Sequence, residues 1–209
     1  MTARKEESSN HLPLNSAVSI VKRKSSPWWA GYLLVSPLRR LVHDPSKILA
    51  PYVYSGTTVL EPGPGMGFFT IEIARLTGPA GHVIAVDAEP RMIEGLKRRA
   101  RKAGLLDTID ARCASPQSMK LDGLDGTVDF TFAFAAVHEM PSPSSFFAEA
   151  ARAMKSGAKL LLAEPDGHVS KERFDRELAA AWENGFILDG RPHIDGSLTV
   201  LLRKPGLAD

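Results

Sequence analysis

A single cysteine, Cys113, stands in a chain of 209 residues. One thiol excludes an internal disulfide framework and any metal site built on clustered cysteines. Long apolar runs are also missing, since no stretch reaches the roughly 18 residues of a spanning helix. The opening "MTARKEESSNHLPLN" lacks the apolar core of a signal peptide, so the expectation is a cytoplasmic protein. Excess charge of either sign is scarce: 26 Lys+Arg against 24 Asp+Glu leave +2. That is too near balance for a chain that grips nucleic acid along its surface. His11, His43, His82, His138, His168 and His193 include no set at zinc spacing, and no metal is expected. What is present is 44% hydrophobic, an ordinary share for a domain with a buried core.

Residues 1–26 are polar and irregular and read as a flexible tail. In residues 27–55, Trp28, Trp29, Tyr32, Leu33 and Leu34 call for burial, while Pro37, Pro45 and Pro51 cut the segment into short helical pieces. This segment reads as a helical cap or lid on the main domain, residues 56–209. There the pattern alternates. "TTVLE" predicts a strand, "FFTIEIARLT" a helix, "GHVIAVD" a strand and "PRMIEGLKRRARKAG" a helix opened by Pro90 and closed by Gly104. "TIDARC" and "TVDFTFAF" predict two more strands, "SPSSFFAEAARAMKSG" a helix, "AKLLLAEP" a strand and "SKERFDRELAAAWENG" a helix. Ser170 there makes half a capping box, because Arg173 stands where Glu would complete it. Such alternation predicts an α/β fold, a mostly parallel sheet with helices on both faces. "GFILDGR" and "GSLTVLLRK" leave no room for a crossover helix and predict a C-terminal antiparallel hairpin.

The stretch "VLEPGPGMG" puts Gly63, Gly65 and Gly67 directly behind the first strand. Ligands of a parallel sheet sit beyond the carboxyl ends of its strands, and three spaced glycines there predict a tight turn that brings backbone N–H groups to a ligand. The dinucleotide fingerprint G-x-G-x-x-G is not met: the third glycine is one residue early and Phe68 takes the last position. No G-K-[ST] follows either, which excludes the P-loop. Glu61 before the turn disfavours a pyrophosphate and suits a cationic ligand. Asp87 ends the second strand about twenty residues on, where a carboxylate can take both ribose hydroxyls or else cap the following helix. Together these features describe an adenosine-type ligand without a diphosphate, the shape of S-adenosylmethionine.

The segments "VLEPGPGMGFFTIEIAR", "GHVIAVDAEPRMIEGLKRRA", "DGTVDFTFAFAAVHEM" and "GAKLLLAEP" resemble, in order and spacing, the successive motifs of class I S-adenosylmethionine-dependent methyltransferases. The resemblance runs from about Thr57 to Lys204. It implies a Rossmann-like sheet of seven strands whose last strand is inserted antiparallel. It further implies that Glu61, Gly63, Gly65 and Gly67 hold the methionine side of the cofactor, that Asp87 binds the ribose, and that Ala88 lies against the adenine. Where many members carry an acidic residue after the third strand, this chain has "ARCASPQSM". Cys113, Ala114 and Ser115 then offer backbone contacts, with Gln117 or Ser118 as polar substitutes.

Methyl transfer relies on a positioned nucleophile and excluded water. "FAAVHEMP" offers His138 and Glu139, and "AEPDGHVS" offers Glu164, Asp166 and His168. A histidine can remove a proton from a hydroxyl or amine near neutrality. His138 can equally be structural, at the head of a helix, and His168, in a turn just before a helix, reads more readily as structural. His138 is the candidate base or orienting group, with Glu139, Glu164 and His168 beside it. One cysteine cannot hold arsenite, and "AAVHEM" replaces the [DN]PP[YF] of nucleic-acid adenine methylation. The basic run from Lys97 to Lys102 reads as a solvated helix face. A small or lipophilic acceptor is expected, roofed by Trp28, Trp29, Tyr32 and Leu33. Residues 27–40, flanked by basic side chains, can instead make a peripheral membrane contact. The alternatives are a non-catalytic cofactor-binding sensor or assembly subunit, and an RNA or protein methyltransferase. The sequence sets no oligomeric state.

Overall fold

The computed structural model describes residues 43–206 except Pro116. The expected tail and residues 27–42 of the expected cap, with Trp28, Trp29, Tyr32 and Leu33, lie outside the described residues. The chain enters through helix α1 (Pro45–Leu49), whose first turn is capped by Asp44 and started by Pro45. Then follow β1 (Thr58–Pro62), α2 (Thr70–Thr77), β2 (His82–Asp87), α3 (Pro90–Ala103), β3 (Ile109–Cys113), β4 (Val128–Phe134), α4 (Pro143–Ala153), β5 (Met154–Pro165), α5 (Lys171–Glu183), β6 (Ile187–Gly190) and β7 (Ser197–Arg203).

The seven strands lie in the order β3-β2-β1-β4-β5-β7-β6. β1 pairs in parallel with both β2 and β4, and β7 runs antiparallel between β5 and β6. The sheet is thus the expected seven-stranded, mostly parallel one, closed by the expected hairpin. The chain winds outward from β1 in both directions, so a crevice opens at the carboxyl ends of β1 and β4.

Alternation along the buried strands divides the core in two. Val59 faces one side with Leu49, Ile73, Leu96 and Ala100, so α1, α2 and α3 cover that face. Leu60 faces the other with Phe146, Phe147, Phe174 and Leu178, from α4 and α5. Phe147 is fully buried; emptying such a position to alanine costs about 3–5 kcal/mol.

Two boundaries differ from those expected. Helix α2 begins at Thr70, because Phe68 and Phe69 remain in the turn after the glycines, packed edge to face with ring centroids 5.0 Å apart. Helix α4 stops at Ala153, and the "MKSG" expected inside it is extended as the start of β5. Met154 is fully buried and pairs with Val128, and Gly157 takes a φ of 78° with its N–H on the Lys204 carbonyl. Tertiary pairing outweighs the helical pattern there.

Candidate functional site

The glycines do two different things. Gly63 has a φ of 69°, and a side chain there would bring a Cβ to 2.6 Å from the Ala136 Cβ. Gly67, at φ 83°, would place one 2.4 Å from Leu96 Cδ1. Both are fixed by close packing as well as by backbone conformation. Gly65, at φ 54°, has nothing within 4 Å of its missing side chain. Its bare face opens into a cleft of about 500 Å³, counted to its solvent mouth, lined by Glu61, Gly63, Phe68, Phe69, Phe134 and Ala135 among others.

The N–H groups of the three glycines are bonded within the fold. Gly63 donates to the Val86 carbonyl, Gly67 to the Pro64 carbonyl, and Gly65 to Asp87 Oδ2 at 3.2 Å. What the turn presents to the cleft is bare backbone surface with carboxylates beside it.

Asp87 is half-buried at the tip of β2 and also accepts the Glu89 N–H at 2.9 Å. Burial pushes its carboxyl above the ordinary carboxylate value; the two N–H donors oppose the rise, and the charges of Glu139 and Glu89 add to it. Helix α3 is capped by Glu89, whose side chain accepts from Arg91, so capping does not occupy Asp87. Ala88 is exposed just beyond that tip. The Ala114 N–H bonds the Asp87 carbonyl at 2.9 Å, which brings the end of β3 to the same rim. Cys113 is exposed there, its Sγ 3.9 Å from the Ala88 carbonyl. Ser115 and Ser118 close a small turn on each other, and Ser118 Oγ donates to Glu149 at 3.0 Å. That contact ties Ser118 to α4. Gln117 is exposed.

Past β4, Ala135 holds a φ of 54°, rare for a residue with a side chain, while its N–H bonds the Ala163 carbonyl at 2.8 Å. This costs about 1–2 kcal/mol and bends the chain toward the cleft that Ala135 lines. An alanine carries no signal of such a role in the sequence. His138 follows in a 3-10 turn, Val137–Glu139, and is buried. Glu164, near the end of β5, is fully buried. It accepts the N–H groups of Val137 at 2.8 Å and His138 at 3.2 Å, and its Oε2 lies 2.5 Å from His138 Nδ1. With three donors converging, the carboxylate is the acceptor and Nδ1 carries hydrogen, which leaves Nε2 as the ring nitrogen able to take a proton. Burial acts to lower the imidazole pKa, but the hydrogen bond and charge of Glu164, with the charge of Glu139, outweigh it; the net direction is upward. Glu164 therefore supports His138 directly.

The His168 ring meets the His138 ring edge to face, centroids 5.2 Å apart, and its residue is exposed. Glu139 is exposed too, close enough in charge to influence both Asp87 and His138. Asp166 is exposed, and its N–H bonds the Gly196 carbonyl. The structure thus gathers His138, Glu139, Glu164 and His168 at one place. His43 leaves the capping of α1 to Asp44. Its Nε2 lies 3.0 Å from the Asp195 carbonyl, and its ring meets Phe134, a cleft residue. Arg99, inside the basic run, turns inward and donates to the Met66 carbonyl at 3.1 Å.

Sequence reasoning missed Glu177. It lies on α5 at 2% exposure, on the same buried stripe as Phe174, Leu178 and Ala181. A carboxylate at an apolar-stripe position of "RFDRELAAA" was the available signal.

A family model described as a methyltransferase domain matches residues 54–188. An uncharacterized 37.1 kDa protein in transposon Tn4556 of Streptomyces fradiae is 27% identical over 111 residues, 53% of this chain and 31% of that protein. The ubiquinone/menaquinone biosynthesis C-methyltransferase of Brucella canis is 29% identical over 117 residues, 56% of this chain and 42% of the enzyme. The chain spans less than half the length of these curated relatives. A crystal structure of an S-adenosylmethionine-dependent methyltransferase from Aquifex aeolicus superposes with a TM-score of 0.76 at 23% identity, covering 86% of this chain and 100% of that one. With the matched residues carrying the glycine turn, Asp87 and the His138–Glu164 pair, the chain belongs to the methyltransferase domain family and has the class I S-adenosylmethionine-dependent methyltransferase fold.

Proposed function

We propose that this protein transfers the methyl group of S-adenosylmethionine to an oxygen, nitrogen, carbon or sulfur nucleophile on a small or lipophilic molecule. The observation that carries the cofactor choice is the donor set of the glycine turn. Its three glycine N–H groups are used internally, while Glu61 and Asp87 place carboxylates at the turn. A pyrophosphate gains little from such a turn, whereas a nucleoside with a positive sulfur suits it. Glu61, Gly63, Gly65 and Gly67 would hold the methionine side, Asp87 the ribose, and Ala88, Ala114 and Ser115 the adenine. Bound there, the cofactor supplies a methyl carbon activated by positive sulfur.

The protein's own part is to orient the acceptor, exclude water and accept a proton where the acceptor must lose one. His138 is the group for that proton, held in one tautomer by Glu164. Glu139 and His168 flank it. Phe68, Phe69 and Phe134 give the cleft an apolar wall, which supports a lipophilic acceptor. The similarity to enzymes of ubiquinone and menaquinone biosynthesis supports the same choice. Residues 27–55 would complete the site as a lid, a reading supported by His43 of that segment meeting Phe134, a cleft residue.

Calorimetric titration with S-adenosylhomocysteine and with NADH tests the cofactor. The expected result is one S-adenosylhomocysteine bound per chain and no NADH; the reverse result overturns the reading. Incubation of the protein with methyl-tritiated S-adenosylmethionine and a cell extract then tests transfer. Label should enter small organic-soluble molecules. Tight binding without transfer would favour a sensor or assembly subunit, and label in RNA or protein would replace the acceptor class.

A further inference from the structure

Behind the His138–Glu164 pair lies a second buried carboxylate. Glu177 is 2% exposed, and neither of its oxygens accepts a hydrogen bond from any described residue. Its nearest cation is Arg173, one turn earlier on α5, with Nε 3.8 Å from Glu177 Oε1. The same guanidinium donates through its other end to the main-chain carbonyl of His138. Arg173 thus joins Glu177 to the residue that carries the imidazole. A lone buried carboxylate without hydrogen bonds is costly, and burial of this kind is retained where it serves a site.

We propose that Glu177 is a positioning residue of the His138–Glu164 pair: it steadies Arg173 against the His138 carbonyl and shares one exchangeable proton with the imidazole. This inference deepens the methyltransferase reading and rests on its assignment of His138. Four groups carry the relevant charge: Glu164, His138, Arg173 and Glu177. With Glu164 ionised and Arg173 cationic, two proton distributions leave the cluster neutral. In one, His138 is protonated and Glu177 ionised. In the other, His138 is neutral, able to accept a proton at Nε2, and Glu177 is protonated. The cluster can hold the one proton at either site without net charge appearing in the interior. The two remaining distributions leave a net charge in a poorly solvated place and are disfavoured.

The surrounding charges agree with this balance. Burial, and next the charge of Glu164, raise the Glu177 carboxyl to about 7, against the opposing charges of Arg173, His138 and Arg176. From the turn side, Glu139 and Glu164 hold the His138 imidazole up and Arg173 lowers it. Both groups are raised, and the charge of His138 acts on Glu177, so the two behave as a coupled pair. Glu177 does not touch the cleft; it acts through Arg173 and through its charge.

The test is an NMR titration of the full chain from about pH 5 to about pH 9, following the His138 imidazole nitrogens and the Glu177 side-chain carboxyl carbon. His138→Asn identifies the imidazole signals. In the natural chain Glu177 should titrate near neutrality, with a second inflection at the His138 midpoint. In Glu177→Gln, which keeps the side-chain shape, the His138 midpoint should fall by about half a pH unit or more, as one negative neighbour is lost. A Glu177 carbon that titrates in the ordinary carboxylate range, or a folded Glu177→Gln chain with an unmoved His138 midpoint, overturns the proposal. The titration of the natural chain decides the matter even if the variant fails to fold. Calorimetry with S-adenosylhomocysteine on the same sample separates the two readings: absent binding removes the methyltransferase reading of the site, while the coupling between Glu177 and His138 stands or falls on the NMR midpoints alone.

Discussion

Asp87 Oδ2 accepts the main-chain N–H of Gly65 at 3.2 Å. This one hydrogen bond ties the tip of β2 to the middle of the turn that follows β1, two elements 22 residues apart in sequence. It explains how a flexible glycine turn keeps one shape before any ligand arrives. It also places a carboxylate at the spot where, in the proposed function, ribose hydroxyls are bound.

Replacing Asp87 by alanine should therefore weaken S-adenosylhomocysteine binding more than tenfold, about 1.4 kcal/mol or more. The turn loses its tether together with the ribose acceptor. Isothermal calorimetry measures the change, and affinity within twofold of the natural chain would take Asp87 out of the ribose role.

The glycines should separate by function. Gly63→Ala and Gly67→Ala drive a Cβ to 2.6 Å and 2.4 Å from neighbouring carbons in addition to the φ cost, so both should lower the melting temperature sharply. Gly65→Ala meets no neighbour and bears only the left-handed backbone cost of about 1–2 kcal/mol. Its cofactor affinity should nevertheless fall by an order of magnitude, because the added methyl projects into the cleft. Thermal melts paired with S-adenosylhomocysteine titrations of the three variants give the comparison. Full affinity in Gly65→Ala would mean that the open face of the turn is not where the ligand lies.

Much of this site was legible before any coordinates. The alternation of strands and helices placed the sheet, and the spacing of Glu61, the glycines and Asp87 placed the turn and strand tip that border the cleft. That border is written in residues whose chemistry or backbone freedom is unusual, so a linear reading finds it. The direction of the N–H groups was not legible, because it depends on which carbonyls the folded turn brings near. The pairing of His138 with Glu164 joins positions 26 residues apart on different strands' ends. Glu177 is further still, on a helix of the opposite connection. The early start of β5 has the same origin: "MKSG" is extended because Val128 and Lys204 lie beside it in the sheet.

Deleting Met1–Pro37 should leave S-adenosylhomocysteine affinity within twofold and sharply reduce turnover of whichever acceptor the extract assay identifies. Among the described residues, those that line the cleft at the glycine turn all lie after that deletion, whereas residues 27–37 of the proposed lid are removed. Sedimentation with anionic vesicles provides the contrast. Loss of vesicle binding with unchanged turnover would instead assign residues 27–40 to a membrane surface.

The buried acids and His138 should also make stability fall as pH rises. A carboxyl raised from 4.5 to about 7 in the folded chain holds its proton where the unfolded chain has released it. Across that window folding becomes less favourable with pH, by a total on the order of 3 kcal/mol. Asp87, raised chiefly by burial, acts with the same sign from 3.8 upward. His138 is raised above 6.5, so the stability it contributes is complete below that value and is lost as pH climbs through the folded value. Glu172, lowered by hydrogen bonds from its own backbone and the Ser170 hydroxyl, has the opposite sign, but only below 4.5. Melting temperatures measured at constant ionic strength should thus decline between about pH 5 and about pH 8. Glu177→Gln removes the largest of these contributions without changing shape, so its melting temperature should depend on pH much less steeply. Parallel curves for the two proteins would show that Glu177 is ionised in the folded state across the whole range, against the burial that surrounds it.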